Sequence, residues 1–257
     1  MFNDMQYTET GHAKNVANFE KETDFCIGYG TTYNPSKNSI KVTALQTLLT
    51  TAKGAIAAVN SNMPAYSNAV AAREAAFEPL SKLTTRIINA LKATDTTEQV
   101  IDSAKTITRK LQGRRATPKS KKALDAFIES THEAKTVTPE EPKEISASQM
   151  SYDNRIDNLD RLIKLLGSVT QYAPNEADLK VTALTTLYND LKAKNTAVMT
   201  ALVPISNARI ARNDILYKEK TGLVAIANDV KAYIKSLYGG TSPQYKQISK
   251  LTFTHAK

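Results

Sequence analysis

The sequence is poor in the residues that most recognisable chemistry requires. Nine glycines in 257 residues leave little material for a phosphate-cradling loop, and neither GxGxxG nor GxxxxGKS/T occurs, which argues against nucleotide-binding folds of those kinds. The single cysteine, Cys26, cannot form an intramolecular disulfide or build a thiolate zinc site alone, so a reducing compartment is expected. Histidine occurs three times, as His12, His132 and His255, and no GxSxG elbow accompanies it; nucleophilic catalysis has no visible footing. There is no run of 18 apolar residues and no basic start followed by an apolar stretch. A cytoplasmic protein without a membrane span is the expectation.

What is present is enough for a folded chain: 41% hydrophobic residues, with 34 Lys plus Arg against 25 Asp plus Glu, too apolar and too mixed in charge for disorder. Self-comparison is the most informative reading. KVTAL at 41–45 recurs at 180–184, and the same offset of 139 brings Ser67-Asn68-Ala69 onto Ser206-Asn207-Ala208, Arg73 onto Arg212 and Tyr33 onto Tyr172. The chain therefore reads as two helical repeat units, 11–113 and 151–257. Between them lies a charged, Pro-containing linker, 114–150, whose only apolar patch is Leu124, Phe127 and Ile128.

Within each unit, a mostly apolar ladder runs in steps of three and four without a break, from Val42 through Leu45, Ala52, Val59, Arg73, Phe77, Thr84 and Ile87 to Leu91, and from Val181 through Leu184, Leu191, Asn195, Val198, Arg209, Arg212, Leu216, Glu219 and Val230 to Leu237. Such a ladder predicts a long helix in each unit, roughly 55 residues or about 80 Å. Pro64, Pro79 and Pro204 interrupt its hydrogen bonding. Either the rods are kinked at these prolines, the reading the unbroken phase favours, or 60–64 is a turn and each unit is a helical hairpin. Shorter amphipathic helices are predicted at 13–27, 98–111, 152–169 and 243–251, with turn chemistry at Tyr33-Asn34-Pro35-Ser36 and 173–177 ahead of both rods. The expected fold is all-α, an elongated bundle of two tandem, pseudo-two-fold repeats, each a long Pro-kinked helix with short flanking helices.

The duplicated layout, with GHAKNVANFE, the two KVTAL rods, RKLQGRRATPK and the closing SPQYKQISKLTF, resembles a group of uncharacterised, internally duplicated all-helical proteins of the Bacteroidota. The resemblance covers the chain and brings no activity, ligand or catalytic residue with it.

Few constellations invite chemistry. Glu9 with His12 and Glu129 with His132 have the Glu-x-x-His spacing of di-iron bundles, but the first pair straddles Gly11 near a frayed end and the second lies in the linker. Asp153, Asp157 and Asp160 share a helical stripe, yet Arg155, Arg161 and Lys164 alternate with them, the pattern of a solvated, salt-bridged face rather than a metal site. No metal and no cofactor is expected. Arg73 and Arg212 occupy core-type ladder positions and require partners; Glu74, Asp214 and Glu219 are the nearest candidates, and Asn68 and Asn207 complete an expected polar core layer that is alternatively an anion site.

Charge is unevenly placed. Eight basic residues and no acid lie in 105–122, including Lys105, Arg109, Lys110, Arg114 and Arg115, and five lysines and no acid lie in 231–257, including Lys246 and Lys250. Setting those 13 charges against the net +9 leaves the remainder at −4. Two functions follow as expectations. The first is a non-catalytic structural or scaffold protein that self-associates, as a homo-oligomer or filament, through long helical rods with Ala-rich faces at Ala52, Ala55, Ala58, Ala69, Ala72 and Ala76. The alternative is a nucleic-acid or other polyanion-binding protein using the basic ends of the two repeats.

Overall fold

The computed structural model describes residues 10–114 and 150–254, and among these the chain is helical with no strand. In chain order the α-helices are α1 Thr10–Gly28, α2 Val42–Phe77, α3 Leu80–Lys92, α4 Glu98–Leu111, α5 Tyr152–Gly167, α6 Val181–Tyr217, α7 Leu223–Tyr238 and α8 Pro243–Ser249. Residues 115–149 of the linker, with its apolar patch, and Glu9, Glu129, His132, His255, Arg115, Lys119, Lys121, Lys122 and Lys257 lie outside the described residues.

Both prolines at mid-rod are carried inside continuous helix, Pro64 in the 36-residue α2 and Pro204 in the 37-residue α6. No turn occurs at 60–64. Each proline removes one backbone hydrogen bond at a cost of about 3 kcal/mol, and the helix continues on both sides of it. The 55-residue rod is nonetheless corrected, because both ladders contain a real break. Glu78 and Pro79 separate α2 from α3, and Lys218–Gly222 separate α6 from α7, with Lys220 at φ +66°.

The chain packs as two compact units, and these cut across the sequence segments 11–113 and 151–257. Of the described residues, unit 1 comprises 10–68 and 199–254, and unit 2 comprises 69–114 and 150–198. In unit 1, α1 and the first part of α2 bury Phe19, Cys26, Leu45 and Ala52 with Leu216, Leu223, Ile226, Val230, Ile234 and Ile248 from α6, α7 and α8. In unit 2, Phe77, Leu80, Ile87 and Leu91 meet Ala104 and Leu111 of α4, Leu159, Leu162 and Leu166 of α5, and Leu184 and Leu191 of α6. Full burial of each such Leu, Ile or Phe contributes about 1.5–3 kcal/mol.

The loops ahead of α2 and α6 use one device. The Tyr33 hydroxyl donates to the Ile40 carbonyl at 2.6 Å, and the Tyr172 hydroxyl donates to the Leu179 carbonyl at 2.9 Å. A short 3-10 turn, Asn38–Ile40 or Ala177–Leu179, then delivers the chain into the helix. Both hydroxyls are buried, which pushes their pKa values up, that of Tyr172 to about 12.

Candidate functional site

Arg73 is half-buried and Arg212 is buried, each with partners other than Glu74, Asp214 and Glu219. In unit 2 the Arg73 guanidinium lies 3.8 Å from the centre of the Tyr152 ring and donates to Asn195 Oδ1 at 3.1 Å, while Asn195 Nδ2 donates to Asp153 Oδ1 at 2.8 Å. Tyr152 in turn meets Phe77 edge-on at 4.9 Å, and Arg155 closes the stack over Phe77 at 4.9 Å while donating to the Phe77 carbonyl. This alternation of guanidinium and ring uses the attraction of cations for aromatic faces. In unit 1 Arg212 is 1% exposed, and its Nε and Nη2 both donate to Asn213 Oδ1, at 3.2 and 3.0 Å. Asn68 and Asn207 do not join a core layer. They are exposed, because five residues along a helix turn through about 500°, placing them well round the cylinder from Arg73 and Arg212.

The basic cluster is less free than its sequence suggests. Lys105 donates to Glu98 Oε1 at 3.1 Å and Asp102 Oδ1 at 2.8 Å, and these acids, just ahead of the acid-free run, raise its pKa. Arg109 donates to the Thr106 hydroxyl, Lys110 is half-buried and Arg114 is exposed. Lys246 and Lys250 are exposed at and beyond the end of α8. Replacing Arg109, Lys110 and Arg114 with Gln is therefore expected to leave the helical content and melting temperature within a few degrees of the parent while weakening any polyanion binding. Circular dichroism and a salt titration check this, the slope of log K against log salt becoming shallower by about 0.9 for each phosphate that the variant no longer neutralises.

The acidic stripe on α5 is paired: within the helix Arg161 with Asp157 at 2.9 Å and Lys164 with Asp160 at 2.6 Å, and across to α6 Asp153 with Asn195. Among the described residues no group of three or more His, Cys, Asp or Glu side chains is placed to hold a metal. Burial pushes the Cys26 thiol up to about 12, so its thiolate is scarce at neutral pH. Unit 2 also carries an open groove of about 770 Å³ beside Asn89, Asp95, Gln171 and Asn175, with the Arg86–Asp178 ion pair at Arg86. By length and composition alone the stretch Val42–Lys92 is long and apolar enough to cross a membrane, against the expectation from sequence; a mostly buried core helix of a soluble protein meets the same test, but only 17% of the apolar window is buried here. Its two helices place Leu45, Ala52, Leu80 and Ile87 in the cores described above.

The densest polar constellation is one that the sequence reading passed over. His12, expected at a frayed end, is buried inside α1, its Nδ1 2.6 Å from the Tyr217 hydroxyl. The same face of α1 carries Asn15, Asn18 and Glu22, all buried. Asn15 and Asn18 hold the main chain of Thr254 and Thr252, and Lys231 of α7 donates to the Leu251 carbonyl at 2.6 Å. Glu22 is fully buried and neither carboxylate oxygen has a hydrogen-bond partner; burial raises its pKa to about 8 in spite of the nearby Lys231 charge. The available signal was the polar spacing 12, 15, 18, 22, a stripe at helical period within an otherwise ordinary amphipathic segment.

No family model, characterised protein or solved structure matches the chain.

Proposed function

We propose that the protein is a non-catalytic structural or scaffold protein that self-associates through its two long helices. The observation that carries this reading is an exposed apolar stripe on α6. Met199, Val203 and Ile210 are 55%, 56% and 65% exposed, and at 100° per residue they fall within about 40° of one another along roughly 16 Å of helix. Large apolar groups lined up on one side of a helix mark an interaction surface far more often than single exposed ones do.

The exposed side of α2 supports the same reading. Thr47, Thr50 and Thr51 are exposed and return their hydroxyls to carbonyls four residues earlier, and Ala57, Ala58, Ala65, Ala71, Ala72 and Ala75 are exposed. The Ala face expected from sequence is divided differently. Ala52 and Ala55 are buried, Ala69 and Ala76 are half-buried, and only Ala58 and Ala72 remain on the surface.

The equivalent tyrosine staples and matching element order in 11–113 and 151–257 support a duplicated, pseudo-two-fold plan, although the stripe itself is not repeated: at the offset of 139, Met199, Val203 and Ile210 correspond to Asn60, Pro64 and Ala71. Repeated heterologous contact then extends into an open chain, whereas a two-fold contact closes at a dimer. Sedimentation at micromolar concentration tests the reading. The parent chain is expected to exceed 28.1 kDa at both low and moderate salt, and Met199→Asp/Val203→Asp/Ile210→Asp is expected to sediment as a smaller folded species than the parent. A monodisperse parent monomer under both conditions overturns the reading and favours polyanion binding through Lys105, Arg109, Lys110, Arg114, Lys246 and Lys250.

A further inference from the structure

Beyond α8 the chain leaves helical structure, and residues 251–254 lie along α1 and α7 within unit 1. They are held mainly by their backbone. Asn15 Oδ1 accepts from Thr254 N at 3.0 Å, and Asn15 Nδ2 donates to the Thr254 carbonyl at 2.8 Å, a two-point grip on one residue. Three positions along the same helix, Asn18 Nδ2 donates to the Thr252 carbonyl at 2.8 Å. From the second wall, Lys231 Nζ donates to the Leu251 carbonyl and lies 4.7 Å from the centre of the Phe253 ring. Phe253 packs against the unit 1 core, whereas Thr252 and Thr254 are exposed.

We infer that the α1–α7 groove is a receptor for an extended peptide with an aromatic residue at its third position, and that it accepts residues 251–254 of a second copy in place of its own. The clamp is built rather than incidental: Asn15 is 1% exposed and Asn18 is buried, and Asn15 is braced through Nδ2 at 3.3 Å from the Tyr217 hydroxyl that also meets His12. An amide side chain that satisfies both main-chain groups of one residue selects extended backbone and is indifferent to the outward side chains. Selectivity rests on Phe253. A second copy offers an identical segment, so exchange replaces every contact with its equivalent, and the only opposing term is association entropy against the high effective concentration of the tethered tail. Lys250, the single residue between α8 and the held segment, is exposed and is the connection on which the tail can swing out. The inference gives the self-association reading a specific contact and rests on it.

The test uses full-length chains in the Met199→Asp/Val203→Asp/Ile210→Asp background, which removes the α6 stripe so that failure of one contact is distinguishable from failure of the other. Asn15→Ala/Asn18→Ala lacks the clamp and keeps the tail; Phe253→Ala keeps the clamp and weakens the tail. Each alone is expected to be monomeric, and their mixture is expected to give a 1:1 complex, because only the first tail in the second clamp is a sound pair. A labelled synthetic peptide of residues 250–257 is expected to bind Phe253→Ala at least about tenfold more tightly than the parent, whose own tail competes, and to bind the double asparagine variant at least about tenfold more weakly than Phe253→Ala. Asn18→Ala alone serves if circular dichroism shows the double variant unfolded. Equal peptide binding to clamp and clampless variants overturns the receptor. Clamp-dependent peptide binding with no complex in the mixture overturns exchange between copies.

Discussion

Between pH 5 and pH 8 the protein is expected to lose stability on the order of 3 kcal/mol, and Glu22→Gln is expected to abolish most of that loss. Glu22 is fully exposed to water only when the chain unfolds, where its pKa returns to the ordinary 4.5; folded, it is held at about 8, chiefly by burial. The folded state therefore retains a proton that the unfolded state has released. Stability from this group is complete below about 4.5, declines as pH rises toward the folded value of about 8, and is level above it, at about 1.4 kcal/mol per pH unit in the intervening range. The groups facing it do not rescue the anion. Lys231 lowers the Glu22 pKa but is itself depressed by burial and directs one of its three N–H donors to the Leu251 carbonyl, while Cys26 and Tyr33 remain neutral at these pH values, their own pKa values raised by burial. Urea melts of parent and variant at pH 5, 6, 7 and 8 measure the difference directly. Curves that stay parallel across the range would show Glu22 to be ionised in the fold.

The ladder of buried positions was legible because helical period reports which face of a helix is covered. From Val42 to Leu91 no ladder residue is exposed, and from Val181 onward only Glu219 and Leu237 are. The same regularity concealed the breaks. Phe77 and Leu80 are three apart across Pro79, and Leu216 and Leu223 are seven apart across the turn at 218–222, so the chain changes element without changing phase. Period also leaves open which helix covers a face. Tyr33 and Leu45 belong to the first repeat by sequence, but pack with Leu223 and Val230 of the second, and no spacing within either segment encodes that choice. The clamp illustrates the limit most sharply: Asn15 and Thr254 are separated by 239 residues, and a stripe of His, Asn and Glu signals an unusual buried surface while remaining silent about the main chain that satisfies it.

The turn that ends α6 supplies the second large effect. Gly222 has ordinary negative φ and ψ of 157°, so its need for glycine is not conformational; it is steric. A Cβ at this position would stand 2.5 Å from Lys218 N, 2.7 Å from Lys218 O and 2.9 Å from the Tyr217 carbonyl carbon, all backbone atoms that cannot rotate aside. The closeness is produced by the turn itself, in which Gly222 N donates to the Lys218 carbonyl at 2.8 Å and Lys220 takes φ +66°. Opening that turn would shift the start of α7, where Leu223, Val224 and Ile226 are buried in the unit 1 core. Gly222→Ala is therefore expected to destabilise by on the order of 3 kcal/mol, or roughly 10 °C in melting temperature for a chain of this size. Gly54→Ala is the matched control. It lies exposed inside α2 with nothing within 4 Å of its added Cβ, so the alanine gains helix propensity of about 0.5–1 kcal/mol and the melting temperature rises slightly. Thermal melts of the two variants followed at 222 nm decide the matter: a Gly222→Ala transition within 2 °C of the parent would mean that the turn at 218–222 is not packed as described.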